Sequence, residues 1–136
     1  YMEKKMAKKI LVADDDQAAA KPLKEILEFA GYEVSFAYNG EECLKKVMLD
    51  KPDLLLLDIM MPRMDGFHFL TALKELQAST GNVSVVPVVV ITGKDIDPRG
   101  TFNNVNLMVH ENIKGYFTKP CDLNELLAKI KKVLGE

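Results

Sequence analysis

Leu54, Leu55, Leu56 and Leu57 form an uninterrupted apolar run between Pro52 and the carboxylate of Asp58. A run this short and this apolar reads as a strand buried on both faces, as in the middle of a parallel sheet. The runs Lys9–Ala13 and Val86–Ile91 have the same character, while Glu33–Ala37 and Gly115–Phe117 are more mixed and suit positions nearer the sheet edges. With the third strand taken as Asp53–Leu57, five strands are expected.

Between the strands, apolar residues recur at helical spacing. Leu23, Ile26, Leu27 and Ala30 make one stripe, closed by Gly31; Cys43, Leu44, Val47 and Met48 make a second. Phe69, Leu70, Leu73 and Leu76 make a third. Leu123, Leu126, Leu127, Ile130, Val133 and Leu134 make the clearest, with Asp122 placed to cap it. Another helix is expected across Asn103–His110, short because of its three asparagines. Pro22 conflicts with the first helix, which either begins late, near Lys21, or bends there. Strands alternating with helices predict βαβ units around a parallel sheet, an α/β fold.

The 136 residues suit one domain, and a formal charge of −2 argues against bulk attraction to nucleic acid or anionic membrane. Cys43 and Cys121 stand in no metal-like spacing, and no apolar run is long enough to span a bilayer. A reducing cytoplasm is the expected compartment.

The chemistry gathers where strands end. The first strand runs into Asp14-Asp15-Asp16, and adjacent carboxylates there repel one another unless a cation or hydrogen-bond donors compensate. Asp16 is explained as the cap of the next helix. Asp14 and Asp15 would face Asp58 if the first and third strands are neighbours. Three carboxylates with open coordination positions suit a hard octahedral cation that keeps some water, Mg²⁺. The fourth strand ends in the hydroxyl of Thr92, and the last leads to Lys119 and Pro120. Lys119 would point into the acidic cluster and neutralise it. His68 and His110 have no nearby ligand partners in sequence and read as packing or surface residues.

In order, Ile10-Leu11-Val12-Ala13-Asp14-Asp15-Asp16, Leu54 to Gly66, Val90-Ile91-Thr92-Gly93 and Tyr116-Phe117-Thr118-Lys119-Pro120 resemble the sequence blocks of response-regulator receiver domains of two-component signal transduction. The resemblance covers residues 8–134, leaving 1–7 as an N-terminal extension in which Tyr1 reads as an expression remnant. It implies a flavodoxin-like three-layer α/β/α sandwich around a doubly wound five-stranded parallel sheet of order 2-1-3-4-5.

By the same resemblance, Asp58 is a phosphoacceptor served by a sensor histidine kinase or phosphotransfer protein. Asp14, Asp15, Asp58 and the backbone carbonyl of Met60 would hold Mg²⁺. Lys119 would pair with phosphoryl oxygens, Thr92 would hydrogen-bond one of them, and Tyr116 would be the rotamer switch. The Lys119-Pro120 peptide is cis in the family. Met60 and Lys94 would tune dephosphorylation, Met60 by shielding the phosphoryl group from water. The chain is expected to catalyse only its own phosphorylation and dephosphorylation, and to control an unidentified output partner. A homodimer formed on phosphorylation is a further expectation, as is either a stand-alone receiver or one excised from a longer protein.

The stretch from Thr92 to Tyr116 departs from the family pattern. It is longer than usual and has Asn112-Ile113-Lys114 in place of Ala-Gly-Ala. This keeps open a receiver that acts as a phosphorylation-independent scaffold. A Mg²⁺-dependent phosphohydrolase with an aspartate nucleophile would want a second aspartate at the position of Met60.

Overall fold

A computed structural model of the chain describes residues 7–58, 66–80, 86–93, 101–102, 105–106 and 112–136. In chain order the elements are β1 (Lys9–Ala13), α1 (Gln17–Phe29), β2 (Glu33–Ala37), α2 (Gly40–Asp50), β3 (Leu54–Asp58) and α3 (Gly66–Thr80). They continue with β4 (Val88–Thr92), β5 (Thr101–Phe102), β6 (Val105–Asn106), β7 (Ile113–Thr118) and α4 (Leu123–Val133).

Five strands form one parallel sheet in the order β2-β1-β3-β4-β7, so the mixed strands β2 and β7 do take the two edges. Setting aside the short pair β5-β6, this is the doubly wound order 2-1-3-4-5. Successive residues of β3 point to opposite faces. Leu55 and Leu57 therefore pack with Cys43 and Val47 of α2 and Phe69, Leu70 and Leu73 of α3. Leu54 and Leu56 pack with Leu23 and Leu27 of α1 and Leu126 and Ile130 of α4. One leucine run thus feeds both cores, and truncating any of its members to alanine costs about 2–5 kcal/mol.

The helix boundaries follow local chemistry. Asp16 caps α1, its Oδ1 accepting from the backbone N–H of Ala19 at 3.1 Å. Asn39 and Asp122 cap α2 and α4 in the same way. Beyond α1, Gly31 takes φ +98°, which costs glycine little, whereas Lys51 closes α2 at φ 47° despite its side chain.

Of the two alternatives for Pro22, the late start near Lys21 is ruled out: α1 begins at Gln17 and carries Pro22 inside it, on an exposed position in the second turn. Burial of Leu23 and Leu27 against the sheet outweighs the hydrogen bond that Pro22 cannot make. The helix expected across Asn103–His110 is not formed at Val105–Asn106, which instead pairs antiparallel with Thr101–Phe102. Threonine, phenylalanine and valine favour extended backbone, and asparagine is a poor helix former. The remaining positions of that stretch lie outside the described residues. Met48, placed on the apolar stripe of α2, is 46% exposed; of that stripe Cys43 and Val47 are the residues buried.

Candidate functional site

Parallel register carries the ends of β1, β3, β4 and β7 to one edge of the sheet. Ala13 pairs with Leu57, Asp58 with Ile91, and Thr92 with Thr118. The two-residue period of a strand puts Asp14 in line with Ile10 and Val12, and Asp58 in line with Leu54 and Leu56. Both carboxylates accordingly leave the sheet on the side covered by α1 and α4.

Asp14 and Asp58 are each only 8% exposed, while Asp15 is open to solvent. The Asp14 backbone N–H donates to the carbonyl of Ala37 at 3.0 Å, and its Oδ1 accepts from the Asp16 N–H at 2.9 Å. Lys119 completes the cluster. Its Nζ donates to Oδ2 of Asp14 and to Oδ2 of Asp58, each at 3.0 Å. Burial alone would lower the pKa of this ammonium, but the hydrogen bonds and charges of Asp14 and Asp58 outweigh it and hold the pKa above its ordinary value. Lys119 is therefore a fixed positive charge between two carboxylates. The Lys119–Pro120 peptide is cis.

Oxygen atoms of Asp14, Asp15 and Asp58 lie within 4.8 Å of one another. Three carboxylates and one ammonium leave two negative charges in a small volume. Hard oxygen donors with a surplus of negative charge fit a divalent cation, and this group can hold one. A buried carboxylate with a cation site and a lysine beside it is also a competent nucleophile toward a phosphoryl group, because the neutralising charges are in place before the group arrives.

Of the residues singled out in the sequence, Asp14, Asp15, Asp58 and Lys119 come together. Tyr116 is half-buried on β7 and packs against the opposite core, that of α2 and α3, in register with Val90. Thr92 closes β4, but its side chain lies outside the described residues, as do Met60, Lys94 and His110. His68 is exposed on α3. Pro22 and Cys121, which carry no functional signal in the sequence, line a cavity together with Asp14, Asp58 and Lys119. Nothing in the sequence spacing of Pro22 and Cys121 relates one to the other.

Comparison with known proteins points one way. A family model described as "Response regulator receiver domain" matches residues 10–131. The chain is 37% identical over 136 residues to "Response regulator MprA" of Mycobacterium ulcerans (strain Agy99), covering 95% of this chain and 51% of that protein. It is 36% identical over 129 residues to "Alkaline phosphatase synthesis transcriptional regulatory protein PhoP" of Bacillus subtilis (strain 168), covering 95% and 49%. The chain thus spans about half the length of the curated relatives it matches. Among solved structures, a CheY-like response regulator receiver domain protein from Methanospirillum hungatei JF-1 superposes with a TM-score of 0.77 at 31% identity, covering 96% of this chain and 95% of that one. With its doubly wound fold in agreement with these matches, the chain belongs to the response regulator receiver family of two-component phosphorelay signalling.

Proposed function

We propose that Asp58 accepts a phosphoryl group from a phosphohistidine of a sensor kinase or phosphotransfer protein, and that the phosphorylated chain controls an output partner. The observation that carries this reading is the position of Lys119, whose Nζ lies 3.0 Å from both Asp58 and Asp14.

An Asp58 carboxylate oxygen attacks phosphorus in line with the phosphorus–nitrogen bond. The new P–O bond forms as the P–N bond breaks, and its electron pair stays on the departing imidazole, protonated at its other nitrogen and so leaving neutral. Asp14, Asp15 and Asp58, with the backbone carbonyl of Met60, would hold Mg²⁺, which when bound neutralises phosphoryl oxygens. Lys119 keeps its proton throughout and turns from the Asp58 carboxylate toward the incoming oxygens. Asp14 orients Lys119, and its own position is set by the hydrogen bonds to Ala37 and Asp16.

Phosphorylation exchanges one carboxylate charge for a group of about −1.5 to −2 with three strong acceptor oxygens. That change is the signal, read out through Thr92 and Tyr116. The chain turns over no other substrate and works in the cytoplasm. No helix among the described residues is long and apolar enough to cross a membrane.

Incubation with acetyl phosphate and Mg²⁺, followed by intact-mass measurement, tests the proposal. A labile, Mg²⁺-dependent adduct of one phosphoryl group, absent from Asp58→Asn, is expected. No adduct would favour a phosphorylation-independent scaffold, and multiple-turnover phosphate release from small phosphate esters would favour a hydrolase.

A further inference from the structure

Ala20, Leu23 and Leu27 turn one face of α1 to the sheet, and the opposite face stands open to solvent. On that open face Ala18, Pro22, Glu25 and Phe29 recur at intervals of four, three and four residues, and all are exposed. Helices that pair side by side use this spacing, and three of the four residues are apolar. Phe29 is 94% exposed. A single exposed apolar side chain is ordinary on a protein surface, so Phe29 by itself points to no partner. The charges beside it do.

Lys21 and Glu28 are seven residues apart and so run along one flank of this stripe, both exposed. Glu28 also lies 4.0 Å from Lys24, an exposed pair of little strength. The flank is thus basic in the first half of the helix and acidic in the second, where Glu25 adds to it. A second α1 laid antiparallel brings Lys21 of each copy against Glu25 and Glu28 of the other, and Phe29 over Ala18. A parallel arrangement would set Lys21 against Lys21 and Glu28 against Glu28, which repels. The face is therefore complementary to itself about a two-fold axis.

We propose that the exposed face of α1 is a docking surface for a second copy of this chain, paired antiparallel about a two-fold axis. Phe29 of each copy covers Ala18 and Pro22 of the other, and Lys21 meets Glu28. The 13 residues of α1 span about 20 Å, so the interface is smaller than the usual about 800 Å² per partner and the dimer is weak and concentration-dependent. The pairing uses none of Asp14, Asp15, Asp58 or Lys119 and needs neither phosphodonor nor metal.

Sedimentation equilibrium on the whole unphosphorylated chain at low salt measures this pairing. A dissociation constant of about 0.1–1 mM is expected, weakening as salt is added. Phe29→Ser should weaken it about tenfold, and so should Lys21→Glu or Glu28→Lys alone, each of which sets like charges together. Mixing the Lys21→Glu and Glu28→Lys proteins should restore pairing between them, because each then offers the charge that the other lacks. Circular dichroism checks that each variant keeps its fold. Should a variant unfold, amide resonances of the unaltered chain decide instead. Shifts with concentration centred on Ala18, Lys21, Glu25 and Phe29 support the face, and shifts confined to other residues overturn it. A monomer at about 1 mM, undiminished pairing of folded Phe29→Ser, or charge variants that do not recover when mixed also overturns the proposal.

Discussion

Lys119 bridges two strand ends through a single atom: its Nζ stands 3.0 Å from Oδ2 of Asp58 and equally far from Oδ2 of Asp14. Removing it leaves two poorly hydrated carboxylates facing each other, with Asp15 close by. Lys119→Ala is therefore expected to lower stability at neutral pH by on the order of 1 kcal/mol, the upper end for an ion pair whose lysine is about one-third exposed. A divalent cation should restore part of the loss, since it supplies the missing positive charge. Urea unfolding with and without Mg²⁺ measures both effects, and a variant as stable as the parent without metal would remove the compensating role given to Lys119.

Asn112 does structural work that its place in a departure from the family pattern conceals. It is 1% exposed, its Nδ2 donates to the carbonyl of Val86 at 3.3 Å, and its own carbonyl accepts from the N–H of Val88 at 2.8 Å. The side chain thus ties the start of β4 to the approach to β7, where the register shifts between Val88 and Val89. Asn112→Ala leaves a buried carbonyl short of a partner and should cost about 1–3 kcal/mol. An unmoved urea midpoint would show that the bond to Val86 is dispensable.

Much of this architecture was legible because its signals are local. The leucine run from Leu54 to Leu57 announced a central strand, and Asp16 and Asp122 announced helix starts that the structure realises. The acidic edge was legible too, since a strand end followed directly by a carboxylate leaves little choice of direction. Pro22 was misleading because its cost of one hydrogen bond is local, whereas Leu23 and Leu27 hold α1 on the sheet through tertiary packing. Val105 and Asn106 were misread for a related reason. A two-residue strand has too short a period to be told from a weak helix, and its pairing with Thr101 and Phe102 is a property of the partner. The cavity was invisible in sequence because its walls come from four separate stretches of chain.

The two cysteines should differ sharply in reactivity. Cys43 is fully buried, and burial with the nearby Glu42 charge pushes its thiol up to about 12, partly offset by Lys46. Cys121 is half-buried, and burial raises its pKa as well, opposed by a backbone hydrogen bond and by Lys119. Because the thiolate is the reactive form, Ellman's reagent at mildly alkaline pH should modify Cys121 slowly in the folded chain and leave Cys43 untouched until unfolding. Two thiols reacting at one rate in native buffer would contradict the packing of α2 against β1 and β3.

Tyr32 provides a pH dependence that can be isolated by one substitution. It is 6% exposed and its hydroxyl donates to Oε2 of Glu136 at 2.6 Å, alongside the bond from Lys8 Nζ to the carbonyl of Leu134. Burial, the hydrogen bond and the Glu136 charge raise its pKa from 10.0 to about 12. The neutral phenol is thus favoured in the folded state, so its stabilisation is present in full below pH 10 and is lost as pH rises through about 12. Tyr32→Phe has no proton to lose and should be less stable than the parent near neutrality, with the gap narrowing as the pH climbs through this window. Urea unfolding of both proteins across the alkaline range gives the comparison directly, because lysine deprotonation affects the two alike. A gap that stays constant would mean that the Tyr32 hydroxyl ionises as easily folded as unfolded, and that its bond to Glu136 does not hold the end of α4 to the chain.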